Sequence, residues 1–386
     1  MIEAPGLARL WDILPGARIV GGAVRDHLAG RPIADVDLAS PLPPDEVMSR
    51  LQRAGIRVIP TGILHGTVTA LADGGHFEIT TLRRDEQTDG RHAVVAFTDD
   101  WREDAARRDF TINAMSMDQA GVLHDYFGGC ADLVAGKVRF VGDAVRRITE
   151  DHLRILRFFR FYARYAQGLP DEEAVSAITM HRASLRALSA ERVWSELKKI
   201  LQAPDPRGAL ALMKQTRVLE LLLPEFDGFA RLNFLITHHA PADPLLRLAA
   251  LLGASPSDLA TRLKLSSVEA EALADLRRGP ALAAHASDEE LRRALADAPV
   301  DILIGRAWLG EIDAQGLSTR LTAMPKPDFP LQGRDVLALG VAPGPAVGEA
   351  LSLVRQWWLD GGCVADDVAC KAALRALFKN ESGTGP

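Results

Sequence analysis

A chain of 386 residues, 47% hydrophobic and 25% charged, is long enough for two or more domains with buried cores of their own. Its net charge of −6 excludes a uniformly basic nucleic-acid coat, while leaving room for a local basic stripe. No apolar run approaches the roughly 20 residues of a membrane span, and the first residues carry no signal-peptide pattern. The three cysteines, Cys130, Cys363 and Cys370, are odd in number and too scattered for a disulfide framework or a zinc site, so a cytoplasmic protein is expected.

Up to about residue 135, short apolar runs alternate with turns. Strands are predicted over 17–20, 34–38, 56–59, 67–71, 76–82 and 114–118, and helices near 24–28 and 45–54. Segment 82–106 is polar, contains Gly and Asp with Arg91-His92 inside it, and reads as a mobile loop. Beyond about residue 140 the texture changes to helical periodicity rich in Ala, Leu and Arg, broken at Pro170, Pro204, Pro224, Pro244, Pro280 and Pro325. The fold class expected is α+β, a mixed-sheet head followed by an all-α remainder, with only 381–386 disordered.

In the predicted strand 34–38 side chains alternate, so Asp35 and Asp37 share a face while Val36 and Leu38 point into a core. Two carboxylates on one spot repel unless a cation lies between them. Magnesium suits such a pair, because it takes hard oxygen ligands and leaves room for phosphate oxygens. Gly21 and Gly22, between a strand and a helix start, let the backbone approach a bound anion, and Arg25 adds a positive charge nearby. In 76–82, Phe77 and Ile79 face one way, Glu78 and Thr80 the other; Glu78 is either a third acid near the metals or a structural partner of Arg83 or Arg84. Arg107-Arg108 suits a triphosphate, since the guanidinium fork donates two hydrogen bonds to phosphate oxygens. Read alone, the same residues also fit a charged turn beside a helix cap. A further helix opens at Glu150, with Ile155, Phe159, Tyr162, Ala163 and Ala166 on one face. Arg154, Arg157, Arg160 and Arg164 occupy the opposite face, and Asp151 stands at the boundary. Composition alone also fits a solvated arginine face.

Order and spacing are more specific than any of these pieces. Gly21-Gly22-Ala23-Val24-Arg25-Asp26 followed by Asp35-Val36-Asp37 resembles the first motif of the class II tRNA nucleotidyltransferases, in the polymerase-β-like superfamily. Arg107-Arg108-Asp109-Phe110-Thr111-Ile112-Asn113-Ala114 resembles the second motif. The run from His124 to Leu133 resembles the hinge between head and neck, with Tyr126 where the family usually carries proline. Glu150-Asp151, Arg154 and Arg157 match the fourth motif, and the helix after Ser189 the fifth, which stabilises the neck. The run 331–348 resembles a tail segment of bacterial members, with an RNA phosphate or plain turn chemistry as alternatives for Pro345.

The resemblance implies a polymerase-β-like catalytic head over 1–137, a helical neck that recognises the base over 138–202, and a helical body and tail that bind tRNA over 203–386. It implies template-independent addition of CCA to the tRNA 3′ end from CTP and ATP. Asp35 and Asp37 would hold two Mg2+ ions, and Gly22, Arg25 and Arg108 the triphosphate. Asp151, Arg154, Arg157 and Arg160 would contact the nucleotide, Asp109 and Asn113 would shape the ribose side, and Lys198-Lys199 would line the acceptor-stem path. Donor–acceptor chemistry agrees: cytosine and adenine present an amino donor beside a ring-nitrogen acceptor, and guanine and uracil the reverse. Asp151 accepts and Arg154 donates, so that pair complements C and A. A poly(A) polymerase, an A-only adding enzyme and a non-catalytic RNA-binding relative remain alternatives. His124-Asp125 is the only His-Asp dipeptide. It lacks the further spaced ligands of a metal-dependent phosphohydrolase, so a second activity there is excluded.

Overall fold

The computed structural model describes residues 2–89, 92–253, 258–312 and 314–381. The chain forms two compact units, Met1–Phe226 with Thr261–Lys264, and Asp227–Ala260 with Leu265–Pro386.

The first unit opens with α1 (Leu7–Ile13), β1 (Arg18–Val20), α2 (Gly22–Leu28), β2 (Leu38–Ser40) and α3 (Pro44–Arg53). It continues through β3 (Arg57–Gly62), β4 (Thr67–Ala72), β5 (Gly75–Thr81), β6 (Arg83–Asp89), β7 (His92–Phe97) and α4 (Trp101–Ala106). The strands β8 (Met115–Met117) and β9 (Leu123–Asp125) and the helix α5 (Gly129–Val134) complete the head. Seven strands form one sheet in the order β3-β4-β5-β2-β1-β8-β9, in which β2 and β5 run parallel and β2 runs antiparallel to β1. Alternation along the strands decides its faces. Ile19, Leu38, Val68, Phe77 and Ile79 enter the main core, where α1 and α3 cover them with Leu10, Trp11, Val47 and Leu51. Val20 and Ala39 turn to the other face, with Leu82 and Trp101.

Two expectations change here. The segment predicted as a strand over 34–38 is extended coil to Asp37, and pairing starts only at Leu38. Asp35 and Asp37 therefore stand on the lip ahead of β2, while the Val20 amide still donates to the Asp37 carbonyl at 3.0 Å. The polar segment 82–106 is mostly regular: β6 and β7 pair antiparallel, from Arg83 opposite Phe97 to Asp89 opposite His92, and α4 follows with Asp100 as its N-cap. The β-branched Val94-Val95 in β7 favours a strand, a signal the charges of β6 obscure. Gly90 and Arg91, part of the expected loop, lie outside the described residues.

The helices α6 (Ala144–Glu150), α7 (Arg154–Tyr165), α8 (Glu172–His181) and α9 (Ala190–Leu201) belong to the same unit. A helix continuous from Glu150 is not what forms. Asp151 is extended at φ −152°, because its carboxylate takes the Leu153 amide at 3.0 Å and so competes with helical bonding. The buried face of α7 is also wider than its periodicity suggests, and includes Leu156, Phe158 and Phe161. Phe110 meets Phe140 at 4.8 Å and Phe161 at 5.2 Å between ring centroids, and Phe158 stacks on Phe140 at 6.0 Å. At the hinge, the Asp125 carboxylate accepts from the Phe127, Gly129 and Cys130 amides, and the Tyr126 hydroxyl accepts from Arg18 at 3.2 Å. The turn holds without the proline.

Among its described residues the second unit is helical. Pro345 starts the helix Pro345–Asp360, which packs with Asp367–Glu381 around Val336, Val354, Trp358 and Leu374. Trp358 lies in that core, whereas its neighbour Trp357 is 47% exposed. His238 caps the end of Ala230–Thr237, as a helix-ending loop requires. Residues 382–386, expected to be disordered, lie outside the described residues, and Glu381 still belongs to a helix. No helix of the described residues is long and apolar enough to cross a membrane.

Phe158→Ala is expected to cost about 3–5 kcal/mol in denaturant unfolding, against at most about 0.5 kcal/mol for Leu169→Ala at an exposed site. Equal losses would remove the aromatic cluster as the anchor of α7.

Candidate active site

A cleft of about 830 Å³ opens within the first unit, between the head and the helices α7 and α9. Of the residues singled out in the sequence, Gly22, Arg25, Asp37, Arg108, Asp151, Arg154, Arg157 and Arg160 all line it. Asp35 does not. It sits exposed on the lip two residues before Asp37, near enough for its charge to act on that carboxyl.

At the head end, Gly21 adopts φ +66°, and a Cβ there would stand 3.0 Å from Arg108 Nη1. Glycine is required by both the left-handed backbone and the close guanidinium. Arg108 is held by Asp104 at 3.3 Å and by the Asn113 carbonyl at 3.4 Å. Arg25 is 9% exposed and donates to Asn113 Oδ1 at 2.5 Å and to the Asp26 carboxylate at 2.9 Å. Its guanidinium lies 4.6 Å from the centroid of the Tyr165 ring on α7, so Arg25 also ties head to neck. Partial desolvation, then the charges of Glu78 and Asp35, push the Asp37 carboxyl above the usual aspartate range, against a smaller lowering by Arg108. Glu78 is brought beside Asp37 because Leu38 and Ile79 pair in the parallel register one residue on. Glu78 is close enough for its charge to act on Asp37, although it does not line the cleft.

The wall is made by α7. Asp109 is 7% exposed; its carboxylate accepts from Asn113 Nδ2 at 3.0 Å and from Arg157 Nε at 2.6 Å. Burial alone would raise the Asp109 pKa, but the Arg157 charge and the hydrogen bonds outweigh it and hold the group below its ordinary value. Arg160 meets Glu196 at 3.0 Å, and burial followed by the Arg157 charge lowers its pKa.

Asp151 and Arg154 are placed by different partners than helical spacing implies. Asp151 is bridged by Arg192 of α9 at 2.8 and 3.1 Å, while Arg154 binds Glu150 at 2.6 Å and the Arg147 carbonyl at 2.9 Å. Arg192 was not expected at this site, and Lys199, anticipated only for the acceptor stem, also lines the cleft. The available signal was the stripe Arg192, Glu196 and Lys199 along one face of α9, which reads equally well as a solvated face. Eight basic side chains (Arg25, Arg108, Arg154, Arg157, Arg160, Arg164, Arg192 and Lys199) line the cleft with four carboxylates (Asp26, Asp37, Asp109 and Asp151). In a chain of net charge −6, that local excess suits a polyanion such as a nucleoside triphosphate.

Comparison with known proteins follows the same lines. Residues 17–139 match the poly A polymerase head domain, and 170–229 match a probable RNA and SrmB- binding site of polymerase A. The CCA tRNA nucleotidyltransferase 1, mitochondrial, of Danio rerio is 39% identical over 366 residues, covering 88% of this chain and 83% of that protein. This chain belongs to the CCA-adding tRNA nucleotidyltransferases. A CCA-adding enzyme of Limosilactobacillus fermentum is 31% identical across 97% of this chain and 96% of its own length. The crystal structure of the Bacillus stearothermophilus CCA-adding enzyme in complex with CTP superposes with a TM-score of 0.79 at 26% identity, covering 99% of this chain and all of that one.

Nucleotidyltransferases of this family depend on a divalent metal, and the donor set fits one. Asp37 carries a like-charge burden from Glu78 and Asp35 that Arg108 only partly relieves, and a hard cation would neutralise it. Among the described residues no three acidic, histidine or cysteine side chains form a closed metal cage.

The lowered Asp109 pKa makes its stabilising effect complete above the ordinary carboxylate pKa of about 4 and loses it as pH falls through the folded value. Asp109→Asn is expected to cost about 2 kcal/mol near neutral pH, less than a fully buried pair because the Arg157 side chain is 32% exposed. Its stability should fall less steeply than wild type in urea titrations below about pH 4. An unchanged acid dependence would mean that Asp109 is not the titrating group.

Proposed function

We propose that this chain adds CCA to the 3′ end of tRNA from CTP and ATP without a nucleic-acid template. The observation that carries the reading is one cleft joining the acid lip at Asp37, the basic wall of α7 and the Asp151–Arg192 pair. Family membership supports it, as does the bound CTP in the Bacillus stearothermophilus relative. We assign the catalytic head to 1–137, the base-recognising neck to 138–202, and the tRNA-binding body and tail to 203–386. Free Cys130, Cys363 and Cys370 suit the cytoplasm.

Asp35 and Asp37 would hold the divalent metal, Mg2+, which supplies neutralisation of phosphate charge and polarisation of the α-phosphate when bound. Gly22 leaves space for the triphosphate, and Arg108 and Arg25 hold its charge. Asp151 and Arg154 select the base. Each already has an ion-pair partner, so acceptor and donor are fixed before the nucleotide arrives. Cytosine or adenine adds a hydrogen bond to each, whereas guanine or uracil sets acceptor against acceptor and donor against donor, a mismatch of about 1–3 kcal/mol at each group and of up to about 10⁴-fold in selection. Arg157 and Arg160 line the base pocket beside Phe161. Arg192 is a positioning residue for the Asp151 carboxylate.

The deciding experiment offers the purified chain a tRNA lacking its last three nucleotides, with each labelled nucleotide singly and then CTP plus ATP. Growth by CCA followed by a stop is expected. Open-ended A tailing would replace this reading with a poly(A) polymerase, A after CC alone with an A-only enzyme, and no incorporation with a binder. Asp37→Ala should abolish addition while tRNA retention on filters stays within about twofold. Arg192→Met should lower selection of C and A over U and G by about tenfold or more, with Arg192→Lys restoring part of it. Loss of rate with intact selection would make Arg192 merely structural.

A further inference from the structure

A second concavity of about 320 Å³ lies in the second unit, where Arg231, Arg277 and Arg306 converge. The rest of its lining is small or aliphatic, including Gly253, Gly279, Ala281 and Leu309, and no acidic or aromatic side chain takes part. Each arginine is fastened to backbone. Arg277 donates from Nη1 to the Ala249 and Leu252 carbonyls at 3.3 Å each, and from Nη2 to Gly253. Arg231 Nη2 reaches the Leu252 carbonyl at 3.1 Å and the exposed Asp227 carboxylate at 3.3 Å, and Arg306 Nε reaches the Asp275 carbonyl at 2.7 Å. These bonds fix where the guanidiniums stand. They leave Nε and Nη1 of Arg231 and both terminal nitrogens of Arg306 without a protein partner among the described residues. Among the described residues no carboxylate lies within ion-pair distance of Arg277 or Arg306, and burial, then the Arg231 charge, lowers the Arg277 pKa. Gly279 lies beside Arg306 Nη1 with a backbone φ of +86° that favours glycine.

We infer that this concavity binds a phosphate group. Three fixed guanidinium forks against the single carboxylate of Asp227 leave an excess of positive charge that matches the oxygens of a tetrahedral oxyanion. The lining offers no ring on which a base would stack, so the phosphate is recognised and whatever is attached to it is not. Two sources share that chemistry, a free inorganic phosphate and a backbone phosphate of RNA.

Methyl NMR of the full chain, labelled at leucine, reads the site directly, because Leu276 and Leu309 line it. Titration with inorganic phosphate at constant ionic strength is expected to shift both methyls saturably. Arg306→Met should weaken that response at least tenfold, and Arg306→Lys should retain part of it. Arg231→Gln serves as the second variant should Arg306→Met fold poorly. Filter binding of tRNA across a salt series separates the sources. A salt slope about one unit smaller in the variant assigns the site to an RNA phosphate, and an unchanged slope with the methyl response intact assigns it to the free anion. Methyls that ignore phosphate, together with a tRNA slope the variants leave unchanged, overturn the inference. Nucleotide addition does not enter the readout, so failure here leaves the proposed reaction standing.

Discussion

Burial of one face of α7 against the head decides where its arginines go. Phe158 and Phe161 lie against Phe140 and Phe110, with ring centroids 5–6 Å apart at their closest, and tilted or stacked pairs of that kind add about 0.5–1.5 kcal/mol each beyond the area they bury. Once those rings are seated, the 100° step of the helix turns Arg154, Arg157, Arg160 and Arg164 toward the acid lip. Asp109 then completes the seating, because its buried carboxylate meets Arg157. Packing places the helix, and the ion pair fixes its rotation.

So many cations in one cleft repel one another, and the fold meets that cost by local pairing. Arg25 leans on Asp26, Arg157 on Asp109, Arg160 on Glu196, and Arg192 on Asp151. These pairs leave the cleft basic overall but keep each guanidinium in a defined place. An incoming triphosphate meets donors that need little reorganisation, which is the condition under which electrostatic stabilisation is strongest.

Much of the head was legible because its signals are local. Alternation placed Phe77 and Ile79 in the core and Glu78 on the open face, and the glycine pair marked the turn before α2. What failed to show was which partner each polar group would take, whether two residues away or forty. Asp151 looked like a member of a helix, yet its own carboxylate captures a backbone amide and ends helical continuity there. The helix of Arg192 read only as a stabiliser of the neck, and it is the packing of α9 against α7 that brings Arg192 to Asp151, 41 residues away in sequence. The β6–β7 pairing was hidden because one of its two strands is almost wholly polar. The tail tryptophans divide for the same reason: spacing gives a helix, while only packing decides that Trp358 enters the core and Trp357 does not.

The crossing between head and neck is woven. Phe110 bridges Phe140, the Thr111 amide donates to the Arg139 carbonyl, and the Val141 amide donates back to the Asp109 carbonyl. Segment 139–141 thus behaves as an extra rung laid on the second nucleotide motif, although it follows the hinge in the chain. Exchange of catalytic modules between relatives by recombination would therefore cut through shared backbone bonds at any joint placed just after the hinge. A transplantable module would have to run through Val141 and bring an Asp109 suited to the recipient's arginine.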